Sequence, residues 1–354
     1  MKVFESFRLG NLTLKNRIVM APMTRSRAVN NIPNQLMRTY YSQRAGAGLI
    51  ISEGTSPSPN GLGYPRIPGA FSDEQFEGWK SVAEGVHEKA GAIFVQLMHT
   101  GRVSAKLNLP DGAKVVAPTA EQLPGEMYTD QQGMVAHETP QQLTVEEIAS
   151  TQQEYVESAK GLIKAGIDGV ELHGANGYLI DQFLNPASNK REDSYGGDYK
   201  NRARFALETA QKVADEVGAD KVGIRFSPYG VFNEMAFNFE DQEELFNYLA
   251  QELSKIGVAY IHLVDHTGMG APEFPKDIKI KIKNAFGGTV IGGGNVQSAA
   301  DAEKVFEDGF ELAYVGRPFI SNPDLIEKFK NDKELVQPNM DTFYSPGKEG
   351  YTDY

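Results

Sequence analysis

A chain of 354 residues, 40% hydrophobic and 23% charged, has the makeup of a soluble globular protein with room for one large domain or two smaller ones. Its 35 basic and 47 acidic residues leave a formal charge of −12, which repels nucleic acid and anionic membranes, so any bound phosphate needs a local device to hold it. The absence of cysteine excludes disulfides, thiolate zinc sites, iron-sulfur clusters and a cysteine nucleophile.

The opening MKVFESFRLG has no long apolar stretch after its lysine, and no later segment reaches about 18 uncharged apolar residues. Neither a signal peptide nor a membrane span is expected, and the cytoplasm is the expected location. FESFRLGNLTLKN reads as a hairpin turning at Gly10-Asn11, suited to plug the bottom of a barrel. Eight short β-branched runs then alternate with longer helical patterns. They are RIVMAPMT (17–24), GLIISEG (48–54), AIFVQLMHT (92–100), DGVELHGA (168–175), KVGIRFSP (221–228), AYIHLVD (259–265), GTVIGGGN (288–295) and LAYVGR (312–317). The helical pattern after the second run opens on Ser72 with Gln75 following, and the one before the fourth opens on Thr144 with Glu147, both at capping-box spacing. Trp79, on the first of these, is expected in the core. Residues 101–143, rich in Pro, Gly and Gln, exceed an ordinary βα loop and are expected to fold over the mouth as a capping insertion after strand 3.

Eight strand-and-helix units predict a (β/α)₈ TIM barrel forming a single domain over 1–354. A doubly wound sheet is the runner-up, disfavoured because GGGNVQ, GLGYPR and GMGAPE all fail the last position of G-x-G-x-x-G. In a barrel the C-terminal strand ends share one mouth. Those ends carry Thr24, Glu53-Gly54, Gln96, His173 with Asn176 and Tyr178, and Arg225. The later ones carry Asp265-His266, Gly293-Gly294-Asn295 and Gly316-Arg317. IGGGN and VGR offer backbone N–H groups plus one guanidinium, a phosphate cradle, although tight left-handed turns would also use such glycines. Thr24, Gln96 and Arg225 suit the polar edge of a flat heterocycle, with a barrel-interior hydrogen-bond network as the alternative. His99 and His262 are assigned to packing or supporting hydrogen bonds.

Taken in order, these residues resemble the old yellow enzyme family, FMN-dependent ene reductases on a (β/α)₈ barrel. The resemblance covers nearly the whole chain through NRIVMAPMTRSRA, YYSQRAGAGLIISEGT, VQLMHTGR, VELHGANGYLIDQFLNPASNKREDSYGG, NRARF, GIRFSP, IGGGN, VGRPFI and EGYTDY. It implies non-covalent FMN, with NADPH or NADH as reductant. Pro22, Met23 and Thr24 would line the flavin, Gly54 would approach its ring, and Gln96 and Arg225 would bind its pyrimidine edge. Gly293, Gly294, Asn295, Gly316 and Arg317 would hold the phosphate. His173 and Asn176 would donate hydrogen bonds to a substrate carbonyl, and Tyr178 would protonate the α-carbon while the β-carbon accepts hydride. Substrates implied are α,β-unsaturated carbonyls, maleimides or nitro compounds, with Tyr64, Met98, Met269, Phe274 and Tyr344 as pocket walls. Many relatives carry histidine at the position of Asn176 and others asparagine, a variation expected to change ligand preference, and relatives often have tryptophan at the position of Met98, whose lesser bulk is expected to widen the pocket. A monomer or homodimer is expected.

Other classes fit less well. A phosphate-binding lyase or isomerase on the same barrel commonly needs a strand-end lysine or paired carboxylates, and no strand end named above is a lysine. A metal-dependent hydrolase would show an H-x-H pair on a strand, which is absent, so no metal is expected. A non-catalytic flavin-binding protein would not require the tyrosine and both carbonyl donors together.

Overall fold

All eight β-branched runs form strands, each shorter than its run because the residues beyond become loops at the mouth. They are β1 (Ile18–Met20), β2 (Leu49–Ile51), β3 (Ile93–Leu97), β4 (Gly169–Gly174), β5 (Val222–Phe226), β6 (Tyr260–Leu263), β7 (Thr289–Gly293) and β8 (Leu312–Val315). In this computed structural model, which describes residues 1–354 apart from the side chain of Met269, the strands pair in parallel in chain order and close as a barrel, β8 beside β1. The helices are α1 (Gln35–Gln43), α2 (Asp73–His87), α3 (Val145–Lys164), α4 (Leu179–Leu184) and α5 (Tyr199–Val217). They continue with α6 (Gln242–Ile256), α7 (Lys276–Phe286), α8 (Ala299–Glu307), α9 (Pro318–Ser321) and α10 (Leu325–Lys330). The result is a (β/α)₈ TIM barrel. Among the described residues no helix is long and apolar enough to cross a membrane.

Local chemistry accounts for the boundaries. Thr144 and Glu147 form a reciprocal capping box that starts α3. Ser72 caps α2 through Gln75 N, but Gln75 Oε1 accepts from Phe71 N instead of closing the box. Trp79 is fully buried with its indole N–H on the Gly69 carbonyl at 3.1 Å.

The N-terminal hairpin pairs Phe7–Leu9 with Leu12–Leu14 around Gly10, whose φ of 53° favours glycine. Leu9 and Leu14 pack with Val19, Leu49, Phe94 and Leu312, so the hairpin stoppers the N-terminal end of the barrel. Within residues 101–143 a second hairpin pairs Glu126–Thr129 with Gly133–Ala136. Val103, Ala105, Leu123 and Met127 cluster there against Tyr64 and Tyr178. Three buried arginines fasten the C-terminal tail by its carbonyls, Arg25 to Phe343 and Gly350, Arg27 to Thr342 and Glu349, and Arg44 to Tyr351. Planar guanidinium forks are well matched to several carbonyls at once.

Candidate active site

The strand register sets the heart of the mouth. His173 lies opposite Arg225 and Arg225 opposite His262, while Glu171 lies opposite Gln96. Side chains alternate along a strand, so Glu171 and His173 of β4 share the interior face. Buried Glu171 accepts from Gln96 Nε2 at 2.8 Å and bonds His262 Nδ1 at 2.9 Å. Burial raises the Glu171 carboxyl, but His262, Arg225 and Gln96 more than offset it, and it lies below the ordinary carboxylate range. With its amide nitrogen committed to Glu171, Gln96 has its oxygen free as an acceptor. Arg225 is buried, with Nε making no hydrogen bond.

Above this layer opens a cavity of about 460 Å³ at the C-terminal mouth. One wall is Pro22, Met23, Thr24 and Gly54, with Gln96 and Arg225 at its base. A Cβ on Gly54 would stand 2.5 Å from the sulfur of Met98, so any larger residue there would have to displace the Met98 side chain. A second wall, from β7 and β8, carries Gly294, Asn295, Gly316 and Arg317. The Arg317 guanidinium makes no ion pair or hydrogen bond among the described residues. A third wall brings His173, Asn176 and Tyr178 together with Tyr64, Met98 and Tyr344.

His173 and Tyr178 ring centroids are 5.1 Å apart, and the hydroxyls of Tyr178 and Tyr64 are 3.0 Å apart. Burial, followed by the Arg225 charge, holds the His173 imidazole well below its usual value, so it is neutral at neutral pH. Its Nδ1 and the Asn176 Oδ1 are sealed in protein without partners. Their other polar atoms, Nε2 and Nδ2, are the ones left for a cavity ligand. Burial raises the Tyr178 phenol, partly offset by the bond with Tyr64, so it stays protonated.

Two expected residues lie elsewhere. Phe274 is buried against Tyr229, ring centroids 5.7 Å apart, with the Lys279 ammonium over its face. It packs into the main apolar core, where its ring is removed from water, and does not line the cavity. Gly293 is the last residue of β7 and does not line the cavity; a Cβ on it would meet the Tyr314 ring at 2.7 Å, so its smallness serves close strand packing. Met269, also expected as a pocket wall, has its side chain outside the described residues. Sequence reasoning missed Phe232, Asn233 and Phe343, which do line the cavity. Glu53, at a strand end, turns away, accepting from Arg25 N and the Tyr41 hydroxyl.

A closed parallel barrel whose mouth offers an imide-binding edge, an unpaired guanidinium beside glycines and a cluster of neutral proton donors defines a flavin-dependent oxidoreductase. The chain belongs to the NADH:flavin oxidoreductase / NADH oxidase family, whose profile matches residues 2–335, and within it to the old yellow enzyme group. It is 39% identical over 355 residues to 12-oxophytodienoate reductase 1 of Oryza sativa subsp. japonica, covering 98% of this chain and 91% of that protein. The structure of morphinone reductase in complex with tetrahydroNAD matches with a TM-score of 0.93 and 40% identity, over 100% of this chain and 97% of that one. The old yellow enzyme homologue from Zymomonas mobilis matches with a TM-score of 0.94 and 35% identity, over 100% and 99%. The protein is an FMN-dependent ene reductase driven by a nicotinamide.

The residues present fit FMN. The buried Arg225 with its orphaned Nε, the free oxygen of Gln96 and the unpaired Arg317 beside Gly294 and Gly316 are the donor and acceptor set that an isoalloxazine edge and a phosphate require.

Proposed function

We propose that this protein reduces the activated C=C bond of α,β-unsaturated carbonyls, maleimides or nitro compounds, with His173 and Asn176 binding the activating oxygen and Tyr178 supplying the proton. The observation that carries this reading is the convergence of two orphaned hydrogen-bonding side chains and a protonated phenol on one cavity wall. FMN held here would supply two-electron hydride chemistry between the nicotinamide and the alkene.

The flavin would rest against Pro22, Met23, Thr24 and Gly54, with Gln96 and Arg225 at its pyrimidine edge and Gly294, Asn295, Gly316 and Arg317 at its phosphate. His173 Nε2 and Asn176 Nδ2 donate to the carbonyl oxygen as it gains negative charge; each such preorganised donor is worth roughly 2.7 to 4 kcal/mol in comparable oxyanion sites. Because His173 is neutral, it stabilises this oxygen without giving up its proton. Tyr178 gives its hydroxyl proton to the α-carbon. The two hydroxyls lie 3.0 Å apart, and with Tyr64 as the donor the Tyr178 proton is left directed into the cavity and the phenolate is steadied afterwards. Residues 101–143 act as the cap over this mouth, and the single domain spans 1–354. A cytoplasmic monomer or homodimer using NADPH or NADH completes the reading.

Tyr178→Phe tests it, keeping the ring and losing only the hydroxyl. Reduction of the flavin by NAD(P)H needs no protonation of carbon and should stay near parental. Reoxidation by 2-cyclohexenone should slow by ~10² to 10⁴, the usual contribution of a positioned acid. Anaerobic stopped-flow at the flavin band separates the two, and equal slowing of both would assign Tyr178 a structural role instead.

A further inference from the structure

Asn176 and Gly177 form a left-handed pair, φ 61° and 75°, immediately before Tyr178. Non-glycine residues take that conformation at a cost, so the surroundings must impose it. Here they do so through side chains alone. All four backbone polar groups of the pair are bonded by side chains from other positions. Asn176 N donates to Ser227 Oγ at 2.8 Å, and Asn176 O accepts from Asn233 Nδ2 at 2.7 Å. Gly177 N donates to Asp181 Oδ2 at 2.8 Å, and Gly177 O accepts from Gln182 Nε2 at 2.7 Å.

The clamp is cross-braced. Ser227 Oγ lies 3.4 Å from the same Asp181 oxygen, joining the β5 side to α4. Arg102, at the start of the 101–143 segment, donates its backbone N–H to Gln182 Oε1 at 3.2 Å and its guanidinium to the Asn233 carbonyl at 3.3 Å. Asn233 and Glu234 are themselves left-handed, φ 56° and 61°, and a Cβ on Gly177 would stand 2.7 Å from the Asn233 Cβ. The two strained turns therefore interlock, one fixing the other.

We infer that Asn233 is a positioning residue for the reduction: through its bond to the Asn176 carbonyl, within the clamp made with Asp181, Gln182 and Ser227, it sets where the Asn176 carboxamide meets the substrate oxygen. This rests on the reading of Asn176 as a carbonyl donor. Asn233 is the member on which the direction depends most, because it alone comes from a loop that also lines the cavity and is held by the 101–143 segment. Asp181, Gln182 and Ser227 fix the turn to the barrel. Asn233 fixes its outer edge.

A double-mutant cycle with 4-chlorophenol as the probe tests this on the FMN-loaded protein, binding being read from the flavin absorbance. Asn233→Ala should weaken the phenol roughly ten- to hundredfold, the range for a donor displaced by a fraction of an ångström to an ångström. In the Asn176→Ala background the same change should cost nothing further, because Asn233 acts only through Asn176. Asn233→Asp, which keeps the shape but sets a second acceptor against the Asn176 carbonyl, should weaken the phenol at least as much as Asn233→Ala while retaining FMN. It decides the matter if the alanine variant does not fold. Equal costs in both backgrounds, or none in the parent, overturn the proposal alone. Unchanged phenol binding in Asn176→Ala overturns it together with the donor reading on which it rests.

Discussion

Arg317 is a cation with no counter-ion among the described residues, on a cavity wall in a protein of net charge −12, where carboxylates are plentiful. Most lysines and arginines near a carboxylate pair with it, as Arg66 does with Asp130 and Lys279 with Asp265. A guanidinium left free beside Gly294 and Gly316 is matched to a dianion that a compact point charge would hold less well. Arg317→Ala should therefore weaken FMN binding by at least tenfold, since a charge-assisted hydrogen bond contributes about 1.5 to 3 kcal/mol. Its exposure means that the fold should be untouched. Ultrafiltration of released flavin measures the first and far-ultraviolet circular dichroism the second; unchanged retention of FMN would place the phosphate elsewhere. At the same scale Met98 carries a choice. Its sulfur leans on Gly54, and the side chain is buried against Leu62 and Ile67 at the cavity wall.

At the scale of elements, the strands were legible because each is buried on both faces, so that runs such as GLIIS and AIFVQL read as continuous apolar segments. The helix starts were legible from local capping chemistry at Ser72 and Thr144. The loop after β5 was not. Its contribution is a bond between Asn233 and a carbonyl 57 positions earlier, and no local pattern announces a side chain that serves a distant backbone. Phe274 misled for the opposite reason, since an aromatic residue in a loop after β6 looks like a pocket wall until Tyr229 is seen to claim it. The 101–143 segment was visible as an overlong connection, yet the packing of Met127 and Leu123 beside Tyr64 and Tyr178 was not. That packing predicts the consequence of replacing residues 126–136 by a short Gly-Ser turn. None of the replaced residues lines the cavity, so FMN should stay bound. Tyr64 and Tyr178 would lose an apolar neighbour, and enone reduction should slow while flavin reduction by a nicotinamide changes less. Parallel losses in both half-reactions would show that the hairpin supports the whole barrel and not the tyrosine pair.

Across the whole molecule, buried titratable groups set how the fold responds to acid. Burial pushes His99 down to about 3, and burial with the Arg225 charge pushes His266 down to about 4. His173 and His262 are lowered in the same direction, in each case first by burial. For a histidine whose folded pKa lies below its unfolded value of about 6.5, stability is fully present above that value and is lost as pH falls towards the folded one. Glu53 and Asp181, raised by burial to about 7, work with the other sign: what they contribute is present at low pH and disappears as pH rises through 7. The two sets oppose each other between pH 4 and 7, so the melting curve of the parent alone cannot apportion them. A single replacement can. His99 Nδ1 accepts from Gly101 N at 3.1 Å while Nε2 has no partner. His99→Asn places an amide oxygen near the position of Nδ1 and removes the titrating group. The parent should lose about 2 kcal/mol through His99 between pH 8 and pH 5, and the variant should not. Spread over the unfolding entropy of a chain this long, that is a difference of about 3 °C in the Tm change. Scanning calorimetry from pH 8 to pH 5 should accordingly give a variant that melts lower at pH 8, because the imidazole ring no longer fills its site, and converges on the parent towards pH 5. Parallel curves across the range would mean that His99 binds its proton in the folded state as readily as in the unfolded chain.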